Sequence, residues 1–168
     1  MKIVVVSGFF DPVGPHHIAL FKEASKLGDY LIVGLNSDEC ALMKKRQPAF
    51  MPFEHRKIIC ENISIVDRVV GFNDMDGTSC SLLNDIYNEF KNSVDYDTVQ
   101  IIFCNGGDRS GGTTPEEKYV KEKLHGKIEM VYGVGGFEKI YSSSGYLKDW
   151  VSNTMKKYNI DFTMDDKY

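Results

Sequence analysis

The sequence predicts an α/β fold, a Rossmann-like doubly wound arrangement around a five-stranded parallel sheet. Three observations carry that prediction. Apolar runs of strand length alternate with helical patterns along the chain. Runs such as Tyr30 to Leu35 are apolar throughout rather than at every second residue, as strands covered on both faces require. The first run ends at Gly8, and after a short loop a helical pattern opens at His16 and His17. A strand, a glycine turn and a helix start together present unpaired amides to a phosphate.

Taken in order, Val4-Val5-Val6 forms the first strand, and Ile18, Phe21, Ala24 and Leu27 set one face of the first helix. Tyr30 to Leu35 is the second strand, and Asn36-Ser37-Asp38 supplies turn and N-cap chemistry. The short links predict a right-handed crossover. Lys44-Lys45-Arg46 reads as a basic loop before a helix from Arg56 to Ile65, with Ile58, Ile59 and Ile63 inward. Val66 to Phe72 is the third strand, and Leu82, Leu83, Ile86, Tyr87 and Phe90 stripe the helix that follows. Thr98 to Cys104 is the fourth strand and Lys127 to Tyr132 the fifth. Between them, Thr114-Pro115-Glu116-Glu117 has the N-cap, proline and acidic first turn of a helix. A last helix after Ser142-Ser143-Ser144 turns Tyr146, Leu147, Trp150 and Val151 inward. Residues 1–156 read as a single domain and 157–168 as a polar tail.

A net charge of −4 argues against a surface that coats nucleic acid, although a small anionic ligand needs only a local basic pocket. No apolar run reaches the roughly 20 residues of a membrane span. Met1-Lys2-Ile3 enters a strand at once, so no leader peptide is expected. Cys40, Cys60, Cys80 and Cys104 are too scattered for a disulfide framework or a zinc site, which points to reduced thiols and a cytoplasmic location.

Three further stretches can carry chemistry. Lys44, Lys45 and Arg46 gather three cations in a chain of net negative charge, either to neutralise a polyphosphate or as solvated surface. Spacing does not fix which of them turns inward. Asn105-Gly106-Gly107-Asp108-Arg109 follows the fourth strand, at the end where open parallel sheets bind ligands. Gly106 and Gly107 admit a close backbone, and Asp108 and Arg109 offer an acceptor and a bidentate phosphate donor. The alternative is a turn with an incidental ion pair. Ser142, Ser143 and Ser144 read as helix caps or as hydroxyls for a second phosphate.

Gly8-Phe9-Phe10-Asp11-Pro12-Val13-Gly14-Pro15-His16-His17 resembles the G-x-F-D-x-x-H-x-G-H signature of the cytidylyltransferase-like nucleotidyltransferases, HIGH-type members of this fold class. Gly8, Phe10, Asp11 and His17 match. Gly14 stands where the family has its first histidine (threonine in some branches), and His16 where glycine is usual. Met51 to Arg56 resembles the family's P-[FY]-E-x-R helix start behind a lysine loop; by that match Lys44 or Lys45 contacts phosphates and Arg56 sits at the site. The Gly-Gly-Asp loop is similar to that of the glycerol-3-phosphate cytidylyltransferase-like and heptose-phosphate adenylyltransferase-like branches. The serines fit the family's I-S-[TS]-[TS] motif, with Lys139 in place of a preceding arginine.

The resemblance implies transfer of a nucleotidyl group, CMP from CTP first and AMP from ATP second, to a small phosphate monoester such as a polyol- or sugar-phosphate. Pyrophosphate is the other product, and Mg²⁺ is bound through the substrate phosphates rather than by a protein metal site. By the same resemblance His17, Lys45, Lys44 and Arg56 are catalytic. Gly8, Phe9, Phe10, Asp11, Gly14, His16, Gly106, Gly107, Asp108, Arg109 and the three serines line the nucleotide site. A homodimer is implied, with no nucleic-acid or membrane partner. Gly14 keeps open a nucleotide-binding homologue with weak or no turnover. A dinucleotide binder is disfavoured, because no G-x-G-x-x-G follows the first strand. Two outcomes are open for His16: the flexibility of Gly14 lets the loop shift so that its imidazole reaches the phosphates, or it points away from His17 as an ordinary first-turn residue. Adjacent helical positions diverge by about 100°, which favours the second.

Overall fold

The computed structural model describes residues 1–91, 98–106, 112, 114–136 and 142–160. Its strands are β1 (Lys2–Gly8), β2 (Tyr30–Leu35), β3 (Arg68–Gly71), β4 (Gln100–Gly106) and β5 (Ile128–Val134). Its helices are α1 (Pro15–Ser25), α2 (Asp38–Lys45), α3 (Phe53–Glu61), α4 (Cys80–Lys91), α5 (Pro115–Lys123) and α6 (Ser143–Tyr158). The sheet is parallel throughout, in the order β3-β2-β1-β4-β5. The chain winds outward from β1 to β3, then crosses back to build the other half from β4. Reversal beside β1 opens a crevice at the carboxyl ends of β1 and β4, the place where such sheets take ligands.

Alternate residues of β1 feed two cores. Val4 and Val6 pack with Phe21, Ala24 and Cys60 from α1 and α3. Ile3 and Val5 pack with Leu83, Ile86 and Val120 from α4 and α5. Each of these fully buried aliphatic side chains contributes about 1.5–3 kcal/mol, so the central strand is the best anchored part of the molecule. The cysteines are all free and buried. Burial pushes the Cys60 thiol up to about 11 and the Cys104 thiol to about 12, which leaves both unreactive.

Three local expectations are corrected. Lys44 and Lys45 are not in a loop; they form the last turn of α2, where cations suit the negative end of the helix. Arg46 closes that helix in the left-handed region (φ 55°). On α3, Ile58 and Ile59 are 56% and 38% exposed, while Arg56 and Cys60, one turn apart, face the interior. The aliphatic pattern misleads there because the Arg56 guanidinium finds a set of acceptors inside. On α6 no residue is fully buried, and Tyr146, Trp150 and Val151 are exposed rather than turned inward. No helix among the described residues is long and apolar enough to cross a membrane.

Candidate active site

The turn after β1 is built around an aromatic ring. A Cβ on Gly8 would stand 2.9 Å from the tip of Phe10, so this glycine makes room for the phenyl ring itself. Phe10 has a positive φ of 49°, and its buried ring meets Phe21 at 4.9 Å and His17 at 5.0 Å between centroids, edge to face in both cases. Phe10 is therefore the seat of His17. The next peptide bond, Asp11–Pro12, is cis. Asp11 is buried and accepts from the amides of Phe50 (2.8 Å) and Met51 (2.9 Å). Its carboxylate fastens the approach to α3 onto the turn.

Gly14 caps α1, with Pro15 at the first helical position. The Gly14 amide donates to His17 Nδ1 at 3.1 Å. A neutral imidazole that accepts at Nδ1 carries its proton on Nε2, at the far edge of the ring. His16 does not point away. Its ring lies 3.8 Å from that of His17 between centroids and lines the same cleft. The reason is positional: side chains of a helix lean toward its N-terminus, and at the second residue no earlier turn blocks that direction.

Lys45, not Lys44, reaches the cleft. Its ammonium lies 4.5 Å from the centroid of Phe9. Desolvation there pulls the Lys45 pKa below the usual lysine value, with nearby Arg56 adding to the shift and Asp11 opposing it. Lys44 turns the other way and donates to the carbonyl of Gly77.

Arg56 is wholly buried, and its donors are committed within the protein. Nε reaches Met51 O at 2.9 Å, Nη1 reaches Phe9 O at 2.7 Å and Asn36 O at 3.0 Å, and Nη2 meets Asp38 Oδ1 at 2.6 Å. One guanidinium thus joins the ends of β1 and β2 to the start of α3. Asp38 also accepts from the Phe53 amide at 3.0 Å. Buried Asp74 extends the lattice by accepting from Asn36 Nδ2 (2.7 Å) and from the Ser37 amide and hydroxyl (2.8 and 2.6 Å). Burial alone would raise the Asp74 carboxyl, but the hydrogen bonds from Ser37 and Asn36 outweigh it and hold the pKa below the usual aspartate value. Asn36 and Asp38 stood out in the sequence only as turn and cap residues beside Ser37, and Asp74 only by its place just beyond β3.

The N-terminus of α6 closes the cleft. Ser142 is its N-cap, accepting from the Gly145 amide at 3.0 Å, and Ser143 donates to the Pro12 carbonyl at 2.7 Å. The resulting space of about 230 Å³ is lined by Phe9, Phe10, Asp11, His16, His17, Lys45 and the three serines. Gly106 lies elsewhere: a Cβ on it would meet Leu20 of α1 at 3.2 Å, so it serves close packing at the end of β4. Gly107, Asp108, Arg109 and Lys139 lie outside the described residues. Among the described residues no group of three or more acidic, histidine or cysteine side chains could hold a metal ion.

Residues 5–163 match the family model described as cytidylyltransferase-like. Glycerol-3-phosphate cytidylyltransferase of Bacillus subtilis (strain 168) is 44% identical over 70 residues, 42% of this chain and 54% of that protein. Bifunctional protein HldE of Haemophilus influenzae (strain PittEE) is 32% identical over 114 residues, 64% of this chain and 24% of that protein. The chain thus spans about half the length of the glycerol-3-phosphate cytidylyltransferases that it matches. The lipopolysaccharide core biosynthesis protein from Thermoplasma volcanium GSS1 has the same fold, with a TM-score of 0.61 at 20% identity over 82% of this chain and 99% of that one. With its parallel sheet, its glycine turn after β1 and a match along nearly all its length, the chain belongs to the cytidylyltransferase-like family.

Proposed function

We propose that the protein transfers a nucleotidyl group from a nucleoside triphosphate to a small phosphorylated acceptor. One observation carries this reading. Lys45, two imidazoles and the start of α6 converge on a single crevice at the carboxyl end of β1. The first-turn amides of Ser143 and Ser144 and the positive end of the helix suit an anion. At about 230 Å³ the space is smaller than a typical ligand pocket and fits phosphates rather than a whole nucleotide.

An oxygen of the acceptor's phosphate attacks the α-phosphorus and a new P–O bond forms. The bond from that phosphorus to the bridging oxygen breaks, and pyrophosphate leaves with the electron pair. The protein positions the groups and stabilises charge, without a covalent intermediate. His17 donates from Nε2 as charge grows on the transferred phosphate, and Lys45 holds the leaving group. Arg56 and Asp11, both buried in hydrogen bonds, act as positioning residues for the turn. The substrate is taken as the Mg²⁺ complex of the triphosphate, with the ion carried by its phosphates.

CTP is the first candidate because relatives 44% identical over 70 residues are named glycerol-3-phosphate cytidylyltransferases, and ATP the second. A polyol- or sugar-phosphate is the acceptor class, the working form is a homodimer and the compartment is the cytoplasm. Asp108 and Arg109 meet the acceptor or the nucleotide's sugar and base. Gly14 favours a second reading, a nucleotide-binding homologue with little turnover. Screening the four triphosphates by thermal shift identifies the base, since a ligand that binds only the folded state raises the midpoint. Pyrophosphate release from the stabilising triphosphate with a panel of phosphate monoesters supports transfer. Stabilisation with no pyrophosphate from any acceptor selects the second reading.

A further inference from the structure

We infer that His16 is a catalytic residue, its imidazole acting beside His17 on the same phosphate, although the two are neighbours in the chain. Gly14 has an extended backbone (φ −130°, ψ 174°) that any residue adopts, so no conformational demand explains a glycine there. What the position lacks is a side chain, and the His16 ring abuts the space where one would begin. A Cβ on residue 14 would stand 3.2 Å from both Cε1 and Nδ1 of His16. The same ring lies 3.8 Å from His17 and faces the cleft that also holds Lys45. The place beside His17 is therefore filled by the imidazole of residue 16, and a side chain at residue 14 would press on that ring.

The inference rests on the nucleotidyl-transfer reading and adds a donor to it. His17, with Nδ1 held by the Gly14 amide, offers Nε2–H. His16 offers a second N–H to the oxygens whose charge grows as pyrophosphate departs. Two such donors on one side of the phosphate, with Lys45 on the leaving group, stabilise the transition state more than the bound substrate.

The test moves the imidazole between its two anchors. Four variants are made: His16→Gly, His16→Phe, Gly14→His, and Gly14→His with His16→Gly. His16→Gly and His16→Phe should each lose about a hundredfold in turnover, with triphosphate affinity changed less than about tenfold. Gly14→His alone crowds the existing ring and gains nothing. The double variant has the room and should return to within about tenfold of the wild-type rate. His16→Phe keeps an aromatic ring packed in place, so turnover within about threefold of wild type would overturn the inference. So would a double variant no faster than His16→Gly. If the wild type releases no pyrophosphate with any of the four triphosphates, the functional reading fails by itself. The assignment of His16 is then decided by calorimetric titration with inorganic pyrophosphate. His16→Phe should bind about tenfold more weakly and the double variant should recover; equal binding by wild type and His16→Phe overturns it.

Discussion

Lys44 and Lys45 leave the last turn of α2 in different directions, and their substitution should separate two functions. Lys45→Ala removes the cleft's ammonium and should raise the apparent constant for the triphosphate more than that for the acceptor. Lys44→Ala, which only frees the Gly77 carbonyl, should leave both constants near wild type in steady-state assays. The lowered pKa of Lys45 adds a pH signature. Only the charged ammonium attracts phosphate, so triphosphate affinity should fall as pH rises, beginning below the range of an ordinary lysine. His17→Ala should cost about a hundredfold in turnover with a smaller change in triphosphate binding; equal rates remove His17 from the chemistry. The sequence marked His17 and the basic run as the place to look, yet it could not choose between adjacent lysines or turn His16 toward the cleft. Those outcomes depend on where α2 ends and where α1 begins, to within one residue, and periodicity does not resolve that.

At the scale of elements, order and type were legible, because continuous apolar runs between helical stripes leave few arrangements for five parallel strands. Which face of a helix turns inward was harder. Ile58 and Ile59 look like core, but α3 buries Arg56 and Cys60, since a polar group with acceptors waiting inside can displace an aliphatic one. For α6 the aromatic stripe was read as core, and the helix instead stands on the body through its first turn, with Ser143 bonded to the Pro12 carbonyl. Because no residue of α6 is fully buried, local terms weigh heavily in its stability. Ser142→Ala should cost about 1 kcal/mol, seen as faster amide exchange in the first turn of α6 while the global midpoint hardly moves. Ser143→Ala should instead weaken triphosphate binding, because it releases the helix start from the turn after β1. A Ser143→Ala protein with unchanged affinity would make that contact incidental.

Across the whole molecule, acid sensitivity should trace to the lattice beneath the cleft. The Asp74 pKa is lower in the folded protein than in the unfolded chain, so its contribution is complete above the ordinary aspartate range near about pH 4. It is lost as pH falls through the folded value, where protonation takes acceptors from Asn36 and Ser37. Asp74→Asn should therefore lower the midpoint at neutral pH and flatten its decline in acid, measured by thermal melts across pH. Arg56→Ala leaves Asp38 and three carbonyls without their donor and should cost about 3–5 kcal/mol.

Sharing one guanidinium among the ends of two strands and the start of a helix also makes these positions epistatic. Once Arg56 is gone, Asp38 keeps only the Phe53 amide, so a further Asp38→Ala should cost less than it does in the wild type; the reverse order should give the same total. In a double-mutant cycle the pair should show a coupling of about 0.5–3 kcal/mol, whereas Arg56 paired with a distant surface residue such as Lys123 should be additive. Substitutions in this network are consequently accessible only in combination. The floor of the cleft should drift slowly in sequence, while the exposed positions of α6, a helix with no fully buried residue, are open to change one residue at a time.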